Sequence, residues 1–403
     1  MNSSLSIKGR ASSTHLDIIR GAAAIAVLIY HVRYRFFLDY SEIENPSLLS
    51  KACYAVTSYG HDAVIVFFVL SGYFISSSIH TSLAQNRWSW GHYFSNRLVR
   101  LYVVLIPALI LTLFWDICGS SWFGSHPIYA GESLGWQSDY YPVLTRLNVS
   151  VLAGNALFLQ TIYCPPLGSN DALWSLAYEF WYYLLFPAIA VAIHPRTTSV
   201  SQRLAAAAVA CCALSIISRS ILLYFPVWLL GWAAGQIGRH SWVTRHARGI
   251  SCVAIGAFAA WLTASHLGIV KETLNNSLLL IDYVNGMAFA VLLWILLHDA
   301  RPESRSSYSS LGSTMSGMSY SLYALHLPLL VFLRAAFTAP RPWDLNVMTL
   351  TAAAAISLVC LIYAWLVANV TEANTARIKS WLGSLLPKST AAAPAPAGAG
   401  GQV

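Results

Sequence analysis

The stretch LDIIRGAAAIAVLIYHVRYRFF, residues 16–37, decides how the chain is read. It is apolar enough and long enough for one membrane-spanning helix, which needs about 20 such residues. Yet it carries Arg20 and, eleven positions on, His31. On an α-helix eleven residues make about three turns, so both side chains leave nearly one face, roughly 16 Å apart along the axis. Ionisable groups inside an apolar span are costly unless they face protein or a wet cavity. The pair therefore marks a functional interior.

Composition agrees with a membrane chain. Of 403 residues, 57% are hydrophobic and 10% charged, against about 25% charged in a soluble domain. The net charge of +8 comes from Lys and Arg scattered between apolar runs, as basic flanks of spans give, and calls for no nucleic acid. Seven Cys form no C-x-x-C pattern, and no metal site is expected. Cys53, Cys118 and Cys164 fall in expected loops, where a disulfide would need an oxidising compartment. The first apolar stretch has no small-residue cleavage site and is followed by further spans, so it reads as a retained helix rather than a signal peptide.

Ten spans are expected, near 16–37, 60–80, 99–118, 174–194, 203–223, 225–239, 248–268, 277–297, 317–338 and 347–369. The fold class is an all-α polytopic helix bundle. The sixth span is short and holds Gly231, Gly235 and Gly238, which suits close helix packing or a tilted insertion. Residues 148–162 are apolar but too short to cross. With the N terminus inside, the inner segments hold sixteen Lys and Arg (Lys8, Arg10, Arg20, Arg87, Arg97, Arg100, Arg196, Arg203, Arg239, Arg245, Arg248, Arg301, Arg305, Arg377, Lys379, Lys388). The outer segments hold seven (Arg33, Arg35, Lys51, Arg146, Lys271, Arg334, Arg341), and Arg219 falls within a span. That excess predicts cytoplasmic termini and an external 119–173 loop. The division expected is a flexible segment 1–15, a membrane domain 16–370 and a cytoplasmic low-complexity tail 371–403.

Five elements carry polar groups beside apolar runs. His31 suits either an interhelical hydrogen bond or a general base, since neutral imidazole accepts a proton near neutral pH. In YGHDAVIVFFVLSGYFIS, residues 59–76, Ser71 and Gly72 suit close packing, while His61 and Asp62 lie at the outer mouth. In NRLVRLY, residues 96–102, Arg97 and Arg100 are neighbours on one helix face; positive-inside anchoring and a phosphate clamp explain them equally. In LWSLAYEFWYYLLFP, residues 173–187, the aromatics suit a membrane interface, but Glu179 needs a partner or a wet site. In SYSLYALHLPLL, residues 319–330, Tyr320, Tyr323 and His326 recur every three residues along one stripe, as core packing or as a cavity wall. A G-x-S-x-G match at 131–135 lacks the strand–turn–helix context that pattern requires and is set aside.

In order, these elements resemble the acyltransferase-3 family of integral-membrane O-acyltransferases. The resemblance rests on Arg20 and His31, FFVLSG at 67–72, Arg97 and Arg100, Trp174-Ser175-Leu176 with Glu179, and Ser319-Tyr320-Ser321 with Tyr323 and His326. It covers about residues 16–370. Two positions depart from the family pattern: Ile65 stands where many relatives carry an acid, and Glu372 is followed by Ala373 and Asn374 rather than a proline-containing turn.

The resemblance implies transfer of an acyl group, commonly acetyl, from cytoplasmic acyl-CoA to a hydroxyl of a cell-envelope or exported carbohydrate, in the bacterial inner membrane, with no permanently bound cofactor. In that setting His31, Arg20 and Glu179 are the candidate catalytic residues. Arg97, Arg100, Trp174, Tyr320, Tyr323 and His326 are the candidate substrate-binding residues. A transporter of lipid-linked sugars or small solutes would also have many spans and a polar interior, though no internal repeat is evident. A second rival is an unrelated membrane acyltransferase that uses one buried histidine, with His326 in that role.

Overall fold

The computed structural model describes residues 10–131, 142–194, 199–266, 277–303, 306–337 and 341–385. Ten long helices run through them: α1 (Ala11–Phe36), α2 (Gly60–Ala84), α3 (Trp90–Phe123), α4 (Trp174–Ile193), α5 (Val200–Ile216), α6 (Arg219–Gln236), α7 (Ala247–His266), α8 (Leu278–Leu296), α9 (Ser307–Phe337) and α10 (Val347–Val370). Among the described residues there is no strand, only isolated bridges such as Phe37 to Trp343.

Eight of these helices are long and apolar enough to cross a membrane. The other two are shorter or less apolar. Helix α5 has 17 residues, and α6 has 18 but opens on Arg219 and Ser220 and is diluted by glycine and proline. The expected fifth span, 203–223, straddles a real break: α5 ends at Ile216, and Ser218 caps α6 by accepting from the Ile221 amide. Arg219 is therefore the first residue of a helix rather than a group inside one.

The glycines of α6 allow close packing. A Cβ on Gly231 would lie 1.8 Å from the Val69 carbonyl oxygen, and one on Gly72 would lie 1.9 Å from that of Trp228. Two bare backbones thus touch where α2 crosses α6, as small residues allow between membrane helices. Helix α9 is the most enclosed span and packs on α1, α3 and α10. Helices α7 and α10 leave most of their apolar surface uncovered, the surface a bilayer would cover.

Of the four prolines inside these helices, two, Pro187 and Pro328, free a carbonyl that has found a side-chain donor. Proline has no N–H, so the carbonyl four residues back loses its partner. Pro187 frees Tyr183, whose oxygen accepts from the Tyr93 hydroxyl at 2.9 Å. Pro328 frees Ala324, whose oxygen accepts from Asn170 Nδ2 at 2.9 Å.

Helical structure continues at both ends of the expected membrane domain. Helix α1 begins at Ala11, because the Ala11 amide donates to the Arg301 carbonyl and so ties its first turn to the α8–α9 connection. Past α10, Glu372–Asn374 form a 3-10 turn and Thr375–Leu385 a helix that packs on α3. The low-complexity end beyond residue 385, and the 131–135 motif after Gly131, lie outside the described residues. Residues Val149–Ala156 form a short helix, with Phe158 after it stacked on Phe180 at 4.5 Å. Cys53, Cys118 and Cys164 are free thiols.

Candidate active site

Helices α1, α2, α3, α4 and α9 enclose a cavity of about 620 Å³, within the range of small-molecule sites. Along α2 its lining runs from Val64 to Ser78; fourteen residues of helix span about 21 Å. The deep part is apolar, with Val64, Phe67, Phe68, Leu70 and Leu176. At the other end stand Arg20, Arg97 and Arg100. The three-residue spacing of Arg97 and Arg100 does aim both at one space.

Arg20 donates to the Ser316 carbonyl at 3.1 Å and lies 3.4 Å from Asp17, one turn back. Arg97 donates to Ser78 Oγ at 3.1 Å and lies over the Tyr93 ring. The Nε atoms of Arg20 and Arg97 are enclosed and make no hydrogen bond to protein, nor does the buried Tyr320 hydroxyl. Enclosed polar groups are normally paired, so these three, at a cavity wall, are groups a ligand or water can satisfy.

Glu179 lines the same cavity as the arginines and acts electrostatically on Arg20. Its Oε1 accepts from Ser71 Oγ at 3.3 Å and from the Tyr183 hydroxyl. Ser71 accepts in turn from Trp228 Nε1 at 3.2 Å. Ser71 is thus a polar wall group that orients Glu179, whereas its neighbour Gly72 serves packing. Sequence reasoning placed both in one packing role.

His31 does not line this cavity. Tyr323 does, and it is the wall behind which the histidine lies. Its hydroxyl bonds Ser175 Oγ at 2.7 Å, Phe67 meets its ring edge-on at 5.9 Å, and its ring centre is 6.3 Å from that of His326. His326 Nε2 lies 2.9 Å from His31 Nδ1. So the stripe Tyr320, Tyr323, His326 divides: two tyrosines face the cavity and the histidine pairs with α1.

Proton positions follow from the partners. His326 Nδ1 is 2.9 Å from the Leu322 carbonyl, an acceptor only, so Nδ1 carries the proton. In the neutral ring Nε2 then accepts, and His31 Nδ1 must donate to it. The Val27 carbonyl, also an acceptor, faces His31 as well. His31 Nε2 is left with its lone pair.

Near the pair, Arg35 and Arg146 share Asp171, at 3.4 and 2.7 Å. The 165–171 loop that carries Asp171 is pinned by Asp116, which accepts from the Ser169 amide and hydroxyl at 2.8 and 2.7 Å. Trp174, expected to bind substrate, is not among the cavity-lining residues. It sits edge-on to Tyr178 at 4.9 Å and to Phe68 at 5.9 Å in an aromatic cluster. His61 and Asp62 are tied rather than free: His61 bonds Asp282 at 2.9 Å, and Asp62 bonds His266 and Asn285, both at 2.7 Å. Glu372 accepts from the Ser321 amide and hydroxyl at 3.0 and 2.8 Å and acts electrostatically on Arg20. Ile65 is core. Among the described residues no group of three or more His, Cys, Asp or Glu could hold a metal ion.

An uncharacterized protein of Haemophilus influenzae is 27% identical over 140 residues, which are 34% of this chain and 51% of that protein. The chain thus spans about half the length of that relative. No solved structure matches. Residues 14–369 match the acyltransferase domain of the acyltransferase-3 family, and the chain belongs to that family of membrane proteins.

Proposed function

We propose that this acyltransferase moves an acyl group, acetyl in the simplest case, from acyl-CoA to a hydroxyl of a cell-envelope or exported carbohydrate in the bacterial inner membrane. The observation that carries the reading is the arrangement around Tyr323: an arginine-rimmed cavity on one side and the His326–His31 pair on the other. Arginine forks match phosphate oxygens, and the apolar part of the cavity suits the arm that carries the thioester.

In the reaction the acceptor oxygen attacks the thioester carbonyl while His31 Nε2 takes its proton, a step that requires the Tyr323 ring to move aside and join the cavity to the histidine pair. The tetrahedral adduct collapses with loss of the C–S bond. The CoA thiolate leaves and receives that proton from the imidazolium. His326 holds His31 in the tautomer that keeps Nε2 free, as an orienting partner does for a catalytic histidine. Arg20 supports negative charge on the donor side, and Glu179 orients Arg20 and the cavity hydroxyls.

Mass spectrometry of envelope glycans from cells with and without the protein tests this. The expected result is a glycan lighter by one acyl group when the protein is absent. Unchanged acylation, with altered glycan or solute distribution across the membrane, would favour the transporter reading.

A further inference from the structure

A second cavity, of about 290 Å³, adjoins the first. Ser78 and Arg97 line both, so the Arg97–Ser78 contact stands at the neck between them. The outer cavity has no carboxylate in its lining and presents Arg87, His92 and Arg97, so it favours an anion. It also presents Trp88, packed against Trp90 and Tyr93 with ring centres 5.1 and 5.3 Å away. The Trp88 indole N–H is enclosed and makes no hydrogen bond to protein.

We infer that this outer cavity holds the 3′-phosphoadenosine end of a coenzyme A thioester. The inference rests on the acyl-CoA reading above and adds a site to it. The order of chemistry along the two cavities is an apolar shaft, an arginine neck, and an outer pocket with an indole and cations. That is the order of the donor's parts: acylated arm, pyrophosphate, adenosine with its 3′-phosphate. Trp88 supplies a π-surface for the base. Arg87 and His92 face the 3′-phosphate. The Gln85–His92 segment, from the end of α2 into the first turn of α3, thereby selects a nucleotide-bearing donor over a bare thioester.

The test compares acetyl-CoA with acetyl-pantetheine, which lacks the nucleotide, on the full-length protein in nanodiscs. Base stacking on an aromatic side chain is worth about 1–3 kcal/mol. Trp88→Ala should therefore raise KM for acetyl-CoA on the order of tenfold with little change in kcat. Arg87→Ala and His92→Ala should act in the same direction. KM for acetyl-pantetheine should not move, and Trp88→Phe should restore most of the lost affinity. Equal changes with both donors, or none with either, would overturn the inference. Binding of adenosine 3′,5′-bisphosphate, followed by calorimetry, separates it from the reading beneath it. Binding that Trp88→Ala abolishes, without any acyl transfer from acetyl-CoA, keeps the nucleotide pocket and discards the transferase reading. Transfer without such binding does the reverse.

Discussion

His326 Nε2 accepts from His31 Nδ1 across 2.9 Å, between two helices that are 295 residues apart in sequence at that point. The bond gives the two histidines unequal work. His326 spends both ring nitrogens on protein, one on Leu322 and one on His31. His31 spends one and keeps Nε2. Within the pair, His31 is the ring able to take a proton from a substrate, and this orders the two rival assignments of the base.

His31→Ala and His31→Gln should each lower kcat by about 10²–10⁴-fold, the range of general-base catalysis, with membrane insertion retained. His326→Gln keeps an acceptor for His31 Nδ1 and should cost less, chiefly in kcat. Acyl transfer by purified variants at saturating donor checks this. Full loss in His326→Gln with activity kept in His31→Gln would move the base to α9.

The arginines should separate by role. Arg97→Lys and Arg100→Lys keep charge but lose the planar fork that matches phosphate, so KM for acyl-CoA should rise about tenfold with acceptor KM unchanged. Arg20→Lys should be milder than His31→Ala. Glu179→Gln keeps an oxygen for Ser71 and Tyr183 yet removes the carboxylate that acts on Arg20, and should lower kcat. Steady-state kinetics with each substrate varied in turn distinguishes these outcomes.

The helices were legible because each needs only a run of apolar residues with period and ends, which is local information. Arg20 and His31 share α1 as their spacing implied, and Arg97 with Arg100 share one cavity wall. The pairings between helices were not legible. Nothing in the order of residues says that His326 meets His31, that Ser71 meets Glu179, or that Asp62 is claimed by His266 and Asn285. Those depend on crossing angles, which are set by contacts such as Gly72 and Gly231 against opposing backbone. Trp174 differs from its motif neighbours: Ser175 and Glu179 line the cavity, while its own helix position turns it into an aromatic cluster. The 217–218 break was missed because apolar residues continue on both sides of it.

Asn170 should matter through its donor. It bonds the carbonyl freed by Pro328 and also Thr112 Oγ1 at 2.9 Å, and it is fully buried. Asn170→Asp preserves shape but removes both N–H groups, which leaves a buried carbonyl unpaired at about 1–3 kcal/mol. A lower thermal midpoint in detergent is expected for Asn170→Asp and for Asn170→Leu alike. A destabilised Leu variant beside an unaffected Asp variant would mean that packing, not hydrogen bonding, is what the residue contributes.

The Lys and Arg asymmetry predicts the orientation. In a background with the native cysteines replaced, a cysteine at the exposed Thr145 should react with an impermeant reagent applied from outside the cell. One at the exposed Ser306 should react only after the membrane is opened. The reverse pattern would put Arg97 and the outer cavity on the wrong side for a cytoplasmic donor.

The last prediction concerns acid stability at the start of α1. Asp299 lies in the connection after α8, outside the spans, where it bonds the Arg301 guanidinium and, at 3.2 Å, His15 Nε2. The bond from Arg301, seconded by His15 against the opposing effect of burial, holds its carboxyl down at about 2, from an ordinary value of 3.8. A depressed folded-state value means that the unfolded chain binds the proton first as pH falls. The stabilisation is therefore complete above 3.8 and disappears as pH drops through about 2. Asp299→Asn should lower the thermal midpoint near neutral pH, and the gap from the unsubstituted protein should close toward about pH 2. Because the Asp299 and Arg301 backbone oxygens also receive the first amides of α1, the same variant should loosen the turn that carries Ser13 and Asp17 into the cavity. Faster amide exchange at residues 11–17 in Asp299→Asn is the expected signature, and a midpoint gap that persists unchanged at pH 2 would rule out the carboxylate as its source.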